Sequence, residues 1–130
     1  MEIIKEQTVI RLKNVDNFKP LHIFECGQAF RWSFDGYSYV GVVKDRVIRI
    51  IEEGTDIILE NSNIDDFHNI WKKYFDLDRD YSLIKKQLAT CDSIMKKAIS
   101  FGHGIRILNQ DPWETLISFI ISANNNIDRI

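Results

Sequence analysis

The sequence predicts an α+β domain followed by the start of an all-helical one. Three observations predict it. The first half carries short β-branched runs separated by polar, glycine-bearing turns. The second half shifts to apolar residues at three- and four-residue spacing, each run opened by Asn or Asp. The last of these runs, Trp113 to Ala123, is too apolar to stand without helical partners.

The elements follow in order. Ile3 to Leu12 is apolar and β-branched, with partial alternation at Val9-Ile10-Arg11-Leu12, and reads as strand. Asp35-Gly36 separates Arg31–Phe34 from Tyr37–Val43 and is the strongest hairpin signal in the chain. Lys44-Asp45 separates the next strand, Arg46–Ile51, and Glu53-Gly54-Thr55 separates Asp56–Leu59. Strands joined by turns this tight pair antiparallel. Asn63 caps a helix carrying Phe67, Ile70, Trp71, Tyr74 and Phe75. Asp80 opens a second, with Leu83, Ile84 and Leu88 on one face. Asp92 opens a third, with Ile94, Met95, Ala98 and Ile99, ended by Gly102 and Gly104. Asp111-Pro112 places a cap before a proline at the first helical position, where the missing N–H costs nothing. The helix from Asp111 then opens the second domain. We place the boundary between residues 1–109 and 110–130, and expect more protein after Ile130.

The 45% hydrophobic and 28% charged fractions are those of a globular protein. A chain of 130 residues can bury a core without disulfides or metals. The net charge of −2 lacks the basic footprint of most nucleic-acid binders. The doublets Lys72-Lys73, Lys85-Lys86 and Lys96-Lys97 read as solvated helix faces. The N-terminus is too charged for a signal peptide, and no apolar run reaches membrane-span length. Cys26 and Cys91 therefore read as reduced thiols, and the expected location is cytoplasmic. His22, His68 and His103 lack ligand spacing, so no metal and no cofactor is expected. Asp65-Asp66 and Asp76-x-Asp78-x-Asp80 lack the glycine and terminal glutamate of a calcium loop, and read as caps and exposed turns.

Two stretches stand out. Gly27-Gln28-Ala29-Phe30-Arg31-Trp32 reads by itself as a loop glycine leading into a strand. Asn124-Asn125-Asn126 reads by itself as a helix C-cap, for which one asparagine would suffice. Joined in order with Lys73-Tyr74-Phe75-Asp76-Leu77-Asp78, Gln110-Asp111-Pro112 and Ser118-Phe119-Ile120, they resemble the 8-oxoguanine DNA glycosylase family over nearly the whole chain.

That resemblance implies a twisted antiparallel sheet with flanking helices, like the TATA-binding protein, plus the first helix of a helix-hairpin-helix domain. It implies a DNA N-glycosylase/AP lyase of base excision repair. Its partners would be the remainder of the glycosylase and double-stranded DNA carrying 8-oxoguanine opposite cytosine. In a bacterium this would be a nucleoid-associated location. It assigns Gly27 the backbone carbonyl that touches the flipped lesion. The N7 of 8-oxoguanine bears a hydrogen where guanine has a lone pair, so a carbonyl gains a bond from one and meets repulsion from the other. It assigns Asn124 the space left by the extruded base, and Arg129 the orphaned cytosine, whose O2 and N3 accept from a guanidinium. Asn125, Asn126 and Ser122 would shape the turn, and Asp128 departs from the small or proline residue common there. The Schiff-base lysine and its assisting aspartate match nothing in this chain, so the chain alone is expected to be inactive. The rival readings are a stand-alone α+β module binding DNA or protein, and an alkylated-base glycosylase. A stand-alone module should bury the helix from Trp113 to Ala123 within itself.

Overall fold

The computed structural model describes residues 1–6 and 8–126. Six antiparallel strands form one sheet: β1 (Glu2–Glu6), β2 (Val9–Lys13), β3 (Trp32–Phe34), β4 (Tyr39–Val43), β5 (Arg46–Glu53) and β6 (Asp56–Glu60). Their spatial order is β1-β2-β6-β5-β4-β3. The three glycine- or Asp-bearing turns make hairpins as expected, pairing Phe34 with Tyr39, Val43 with Arg46 and Glu53 with Asp56. The stretch Ile3 to Leu12 divides into two strands, because it doubles back between Glu6 and Val9 without a glycine or proline to announce it.

The Asp35 turn is wider than a two-residue loop. The Asp35 carboxylate accepts from the Tyr37 and Ser38 amides at 3.0 and 2.8 Å and from Ser38 Oγ at 2.8 Å. Those bonds, Ser38's amide foremost, hold its acid form down to about 2.

One face of the sheet carries the core. Ile10, Leu59, Ile50 and Tyr39 lie in register across four strands, and with Leu12, Ile57 and Ile48 they are buried. Ile51 and Ile58 pair on the opposite face. Helices cover the core face. The sequence did not announce α1 (Pro20–Phe24), a single turn that buries Ile23 and Phe24. The helix capped by Asn63 is interrupted. Two short α segments, α2 (Ile64–Asp66) and α3 (Lys72–Tyr74), flank a π turn at Phe67–Trp71. Its extra residue per turn helps Phe67, Trp71, Tyr74 and Phe75 all reach the core.

The next two helices pack less tightly than their periodicity implies. In α4 (Tyr81–Leu88) the buried residue is Tyr81, while Leu83 and Leu88 are exposed. In α5 (Ser93–Phe101) no residue is buried, and Ile94 is exposed. The Asp80, Asp92 and Asp111 carboxylates do cap their helices. Gly102 ends α5, but Gly104 has another reason. A Cβ on Gly104 would lie 2.2 Å from the Lys19 side chain, and Gly104 exchanges bonds with Lys19 N and His22 Nδ1. The last helix, α6 (Pro112–Ser122), follows.

Candidate nucleic-acid interface

Gly27 lies on the exposed loop between α1 and β3, at φ +81°, with open space on the side where a Cβ would sit. That backbone is disfavoured for a residue with a Cβ. The loop is anchored at both ends. Before it, the Tyr39 hydroxyl donates to Glu25 Oε1 at 3.0 Å; burial, then that carboxylate, pushes the tyrosine up to about 12. After it, the Trp32 ring stacks on Phe24 at 4.0 Å and its Nε1 donates to the Tyr74 hydroxyl at 3.0 Å. Between these anchors the loop hangs from Gln28. Its Nε2 donates to the carbonyls of Ile23 and Arg106 at 2.9 and 2.8 Å, and its Oε1 accepts from Leu108 N at 3.0 Å. Gln110 Nε2 donates to the Gln28 carbonyl.

The segment that receives these bonds is itself pinned by Arg106. This guanidinium is 5% exposed and donates to the carbonyls of Asp76 at 2.7 Å and Asp16 at 3.1 Å. It also stands 4.6 Å over the Tyr81 ring. Burial lowers its affinity for the proton.

The same run reaches α6. Arg31 Nη1 donates to both oxygens of Glu114 at 3.0 and 3.1 Å, in the first turn of the helix. Phe30 meets Phe119 edge to face at 5.3 Å. These contacts border a cavity of about 410 Å³ lined by Phe30, Trp32, Lys73, Asn109, Gln110 and Ser118, among others. Gly27 is not among its lining residues.

At the far end of α6, Asn124 follows the C-cap Ala123 at φ +55°, the left-handed position expected of a helix-ending asparagine. The turn is held by its neighbours. Ser122 Oγ donates to Phe119 O at 2.9 Å, Asn125 N to Ser122 O at 3.2 Å, and Asn126 N to Asn125 Oδ1 at 3.0 Å. Among the described residues the Asn124 side chain has no hydrogen-bond partner, and it is exposed. Arg129 and Asp128 lie outside the described residues.

Gly27 and the asparagine triplet are thus presented at the surface, one by a strapped loop and the other by a helix end. The model for the 8-oxoguanine DNA glycosylase N-terminal domain matches residues 10–116. The chain belongs to this family. The N-glycosylase/DNA lyase of Saccharomyces cerevisiae is 36% identical, over 84% of this chain and 32% of that protein. The 8-oxoguanine glycosylase/lyase of Clostridium acetobutylicum in its apo form is 45% identical, with a TM-score of 0.94 over 98% of this chain and 45% of that one. The same enzyme bound to double-stranded DNA with cytosine opposite 8-oxoguanine superposes with a TM-score of 0.93, covering 44% of that chain. This chain therefore spans less than half the length of these relatives.

The glycine is the conspicuous residue of the Gly-Gln-x-Phe-Arg-Trp run. Its other members prove to be fasteners. The sequence assigns no role of its own to Gln28, Gln110 or Arg106, although a glutamine following a loop glycine and an arginine among isoleucines are both visible in it. Among the described residues no cluster of three His, Cys, Asp or Glu side chains is placed to hold a metal ion. No described helix is long and apolar enough to cross a membrane.

Proposed function

We propose that this chain is the lesion-recognising N-terminal part of an 8-oxoguanine DNA glycosylase/AP lyase. Residues 110–130 would begin its helix-hairpin-helix domain. The observation that carries the reading is the Gly27 loop, which presents a glycine backbone at φ +81° over open space on an otherwise fastened frame. The Gly27 carbonyl takes the N7 hydrogen of flipped 8-oxoguanine, Asn124 enters the vacated stack, and Arg129 reads the opposite cytosine. Ser122, Asn125 and Asn126 set the angle of that turn. The protein works in the cytoplasm, at the nucleoid if bacterial.

The apolar face of α6 supports the fragment reading over a stand-alone module. Trp113 is 70% exposed and Ile120 61%, with Leu116, Phe119 and Ile121 also open. A patch of this kind marks an interface. The covering surface is the rest of the glycosylase, which supplies the attacking lysine.

The test compares duplexes with 8-oxoguanine or guanine opposite cytosine. The chain alone is expected to bind weakly, with strong salt dependence, and to give no borohydride-trapped adduct. A full-length glycosylase carrying this chain should trap and excise the lesion. Gly27→Ala should reduce its preference for lesion over guanine, and Asn124→Ala should slow excision from cytosine-paired duplexes. An unchanged preference in Gly27→Ala overturns the assignment of the carbonyl. A borohydride adduct with the chain alone overturns the claim that the nucleophile lies elsewhere.

A further inference from the structure

We propose that Gln28 is a positioning residue that sets the direction of the Gly27 carbonyl and thereby the selectivity for the damaged base. The inference rests on the reading of Gly27 given above. The Gly27 carbonyl lies in one peptide plane with the nitrogen and Cα of Gln28. Whatever fixes Gln28 fixes that plane. Glycine itself contributes nothing to fixing it, because it is the residue least restricted in φ and ψ.

The loop has few other means of holding still. Among the described residues no backbone-to-backbone hydrogen bond outside helices and strands involves Cys26 to Phe30. The nearest such bonds belong to Glu25 and Arg31. Cys26 Sγ makes a local contact with the Ile23 carbonyl at 3.4 Å. The Gln28 amide, by contrast, uses both hydrogens and its oxygen, on Ile23, Arg106 and Leu108. Two of those three partners lie about eighty positions along the chain, in the segment pinned by the buried Arg106. The Gln28 carbonyl is taken by Gln110 from the same segment. A primary amide is the side chain that meets this demand, since it offers two donors and an acceptor at one terminus. A glutamate keeps the shape and the acceptor but sets a carboxylate against two carbonyl oxygens.

A preorganised acceptor discriminates between donor and lone pair only if it cannot turn away. A carbonyl on a mobile loop would rotate to avoid guanine's N7 and admit the normal base. Loosening Gln28 should therefore damage discrimination more than it damages turnover of the lesion.

The experiment has two arms. In this chain, Gln28→Met should raise the exchange rate of the Leu108 amide hydrogen and lower the order, measured by nitrogen relaxation, of the backbone amide at position 28, which shares a peptide plane with the Gly27 carbonyl. In a full-length glycosylase carrying the chain, kcat/KM is measured for 8-oxoguanine:cytosine and for guanine:cytosine duplexes, well below the melting transition. The ratio is expected to fall about tenfold in Gln28→Met and Gln28→Glu, the effect of one bond's worth of discrimination. A purely structural role would scale both substrates alike and leave the ratio unchanged, which would overturn the proposal. If both Gln28 variants fail to fold, Gln110→Met removes only the bond to the Gln28 carbonyl, and its ratio decides by the same criterion. Gly27→Ala separates the two readings. If it destroys the preference while the Gln28 variants keep it, only the role of Gln28 is lost. If Gly27→Ala keeps the preference, the assignment of the carbonyl itself is wrong.

Discussion

Gly41 occupies the middle of β4 and is the cross-strand partner of Trp32. A Cβ there would lie 2.3 Å from Trp32 Cδ2, 2.4 Å from Cε3 and 2.6 Å from Cε2. Carbon atoms in good contact stand about 3.5–4.0 Å apart, so Gly41→Ala forces the indole back by roughly 1 Å or more. The three atoms surround the ring fusion, so the methyl would land on the ring's face. Phe24 stacks on the ring at 4.0 Å, and the Nε1 bond to Tyr74 ties its edge. Overpacking of this kind costs about 1–3 kcal/mol. Displacing Nε1 from the Tyr74 hydroxyl, whose proton burial already holds up to about 12, adds about 1–3 kcal/mol. The lower entropy of an unfolded alanine chain returns about 0.4–1 kcal/mol. The expected loss is therefore about 1–6 kcal/mol, centred near 3, read from urea unfolding followed by tryptophan fluorescence. A loss below about 1 kcal/mol would refute the reasoning, because it would mean the indole has room that the packing denies it.

Asp35 gives a pH dependence of known sign. Its folded value of about 2 lies below the ordinary carboxylate value, so its contribution is present above the unfolded value and is lost as pH falls through about 2. The stability difference between wild type and Asp35→Asn, measured by denaturant titration, should be constant near neutral pH and shrink from about pH 4 downward; a constant difference across that window would contradict it. Arg106→Met strands the Asp16 and Asp76 carbonyls and should cost about 2–4 kcal/mol in thermal unfolding, whereas the exposed Lys97→Met should stay within about 0.5 kcal/mol. Equal effects of the two would show that the guanidinium holds nothing in place.

What the sequence made legible follows from how local each signal is. The hairpins of β3 to β6 are short-range, and Asp-Gly or Gly-Thr turns carry enough information to place them. The helix caps are equally local, and Asp80, Asp92 and Asp111 each accept from the amide three residues on. The pairing of β2 with β6 joins residues about fifty positions apart and has no local mark. The five-residue α1 is too short for a periodic pattern. The exposure of Leu83, Leu88 and Ile94 shows the limit of periodicity, which names a face without naming what covers it. The candidate site divides the same way. Gly27 and Asn124 lay in unusual strings and could be picked out. Gln28 and Arg106 act through bonds to distant carbonyls, and nothing in their neighbours announces those partners.

Gly27 and Asn124 sit at nearly opposite ends of the chain, yet the fold gives them one support. The strip from Gly104 to Gln110 is the hinge of that arrangement. It takes three bonds from or to Gln28, by way of Arg106, Leu108 and Gln110, and so carries the Gly27 loop. It then passes directly into Asp111, whose carboxylate caps α6 at Glu114 N. Glu114 turns back to Arg31, four residues beyond Gly27, and Phe119 turns back to Phe30. Helix α6 is thus fastened at its start and again two turns along, on the side facing the loop, while Trp113, Leu116, Ile120 and Ile121 remain uncovered. A rigid helix of eleven residues extends about 16 Å, so Asn124 is held at a fixed reach from the Gly27 loop. A flipped base and the gap it leaves are a fixed distance apart as well. On the proposed reading of Gly27 as acceptor and Asn124 as wedge, the two must share a frame to act on one base pair, and the Gln28 strap with the Arg31–Glu114 clamp supplies that frame.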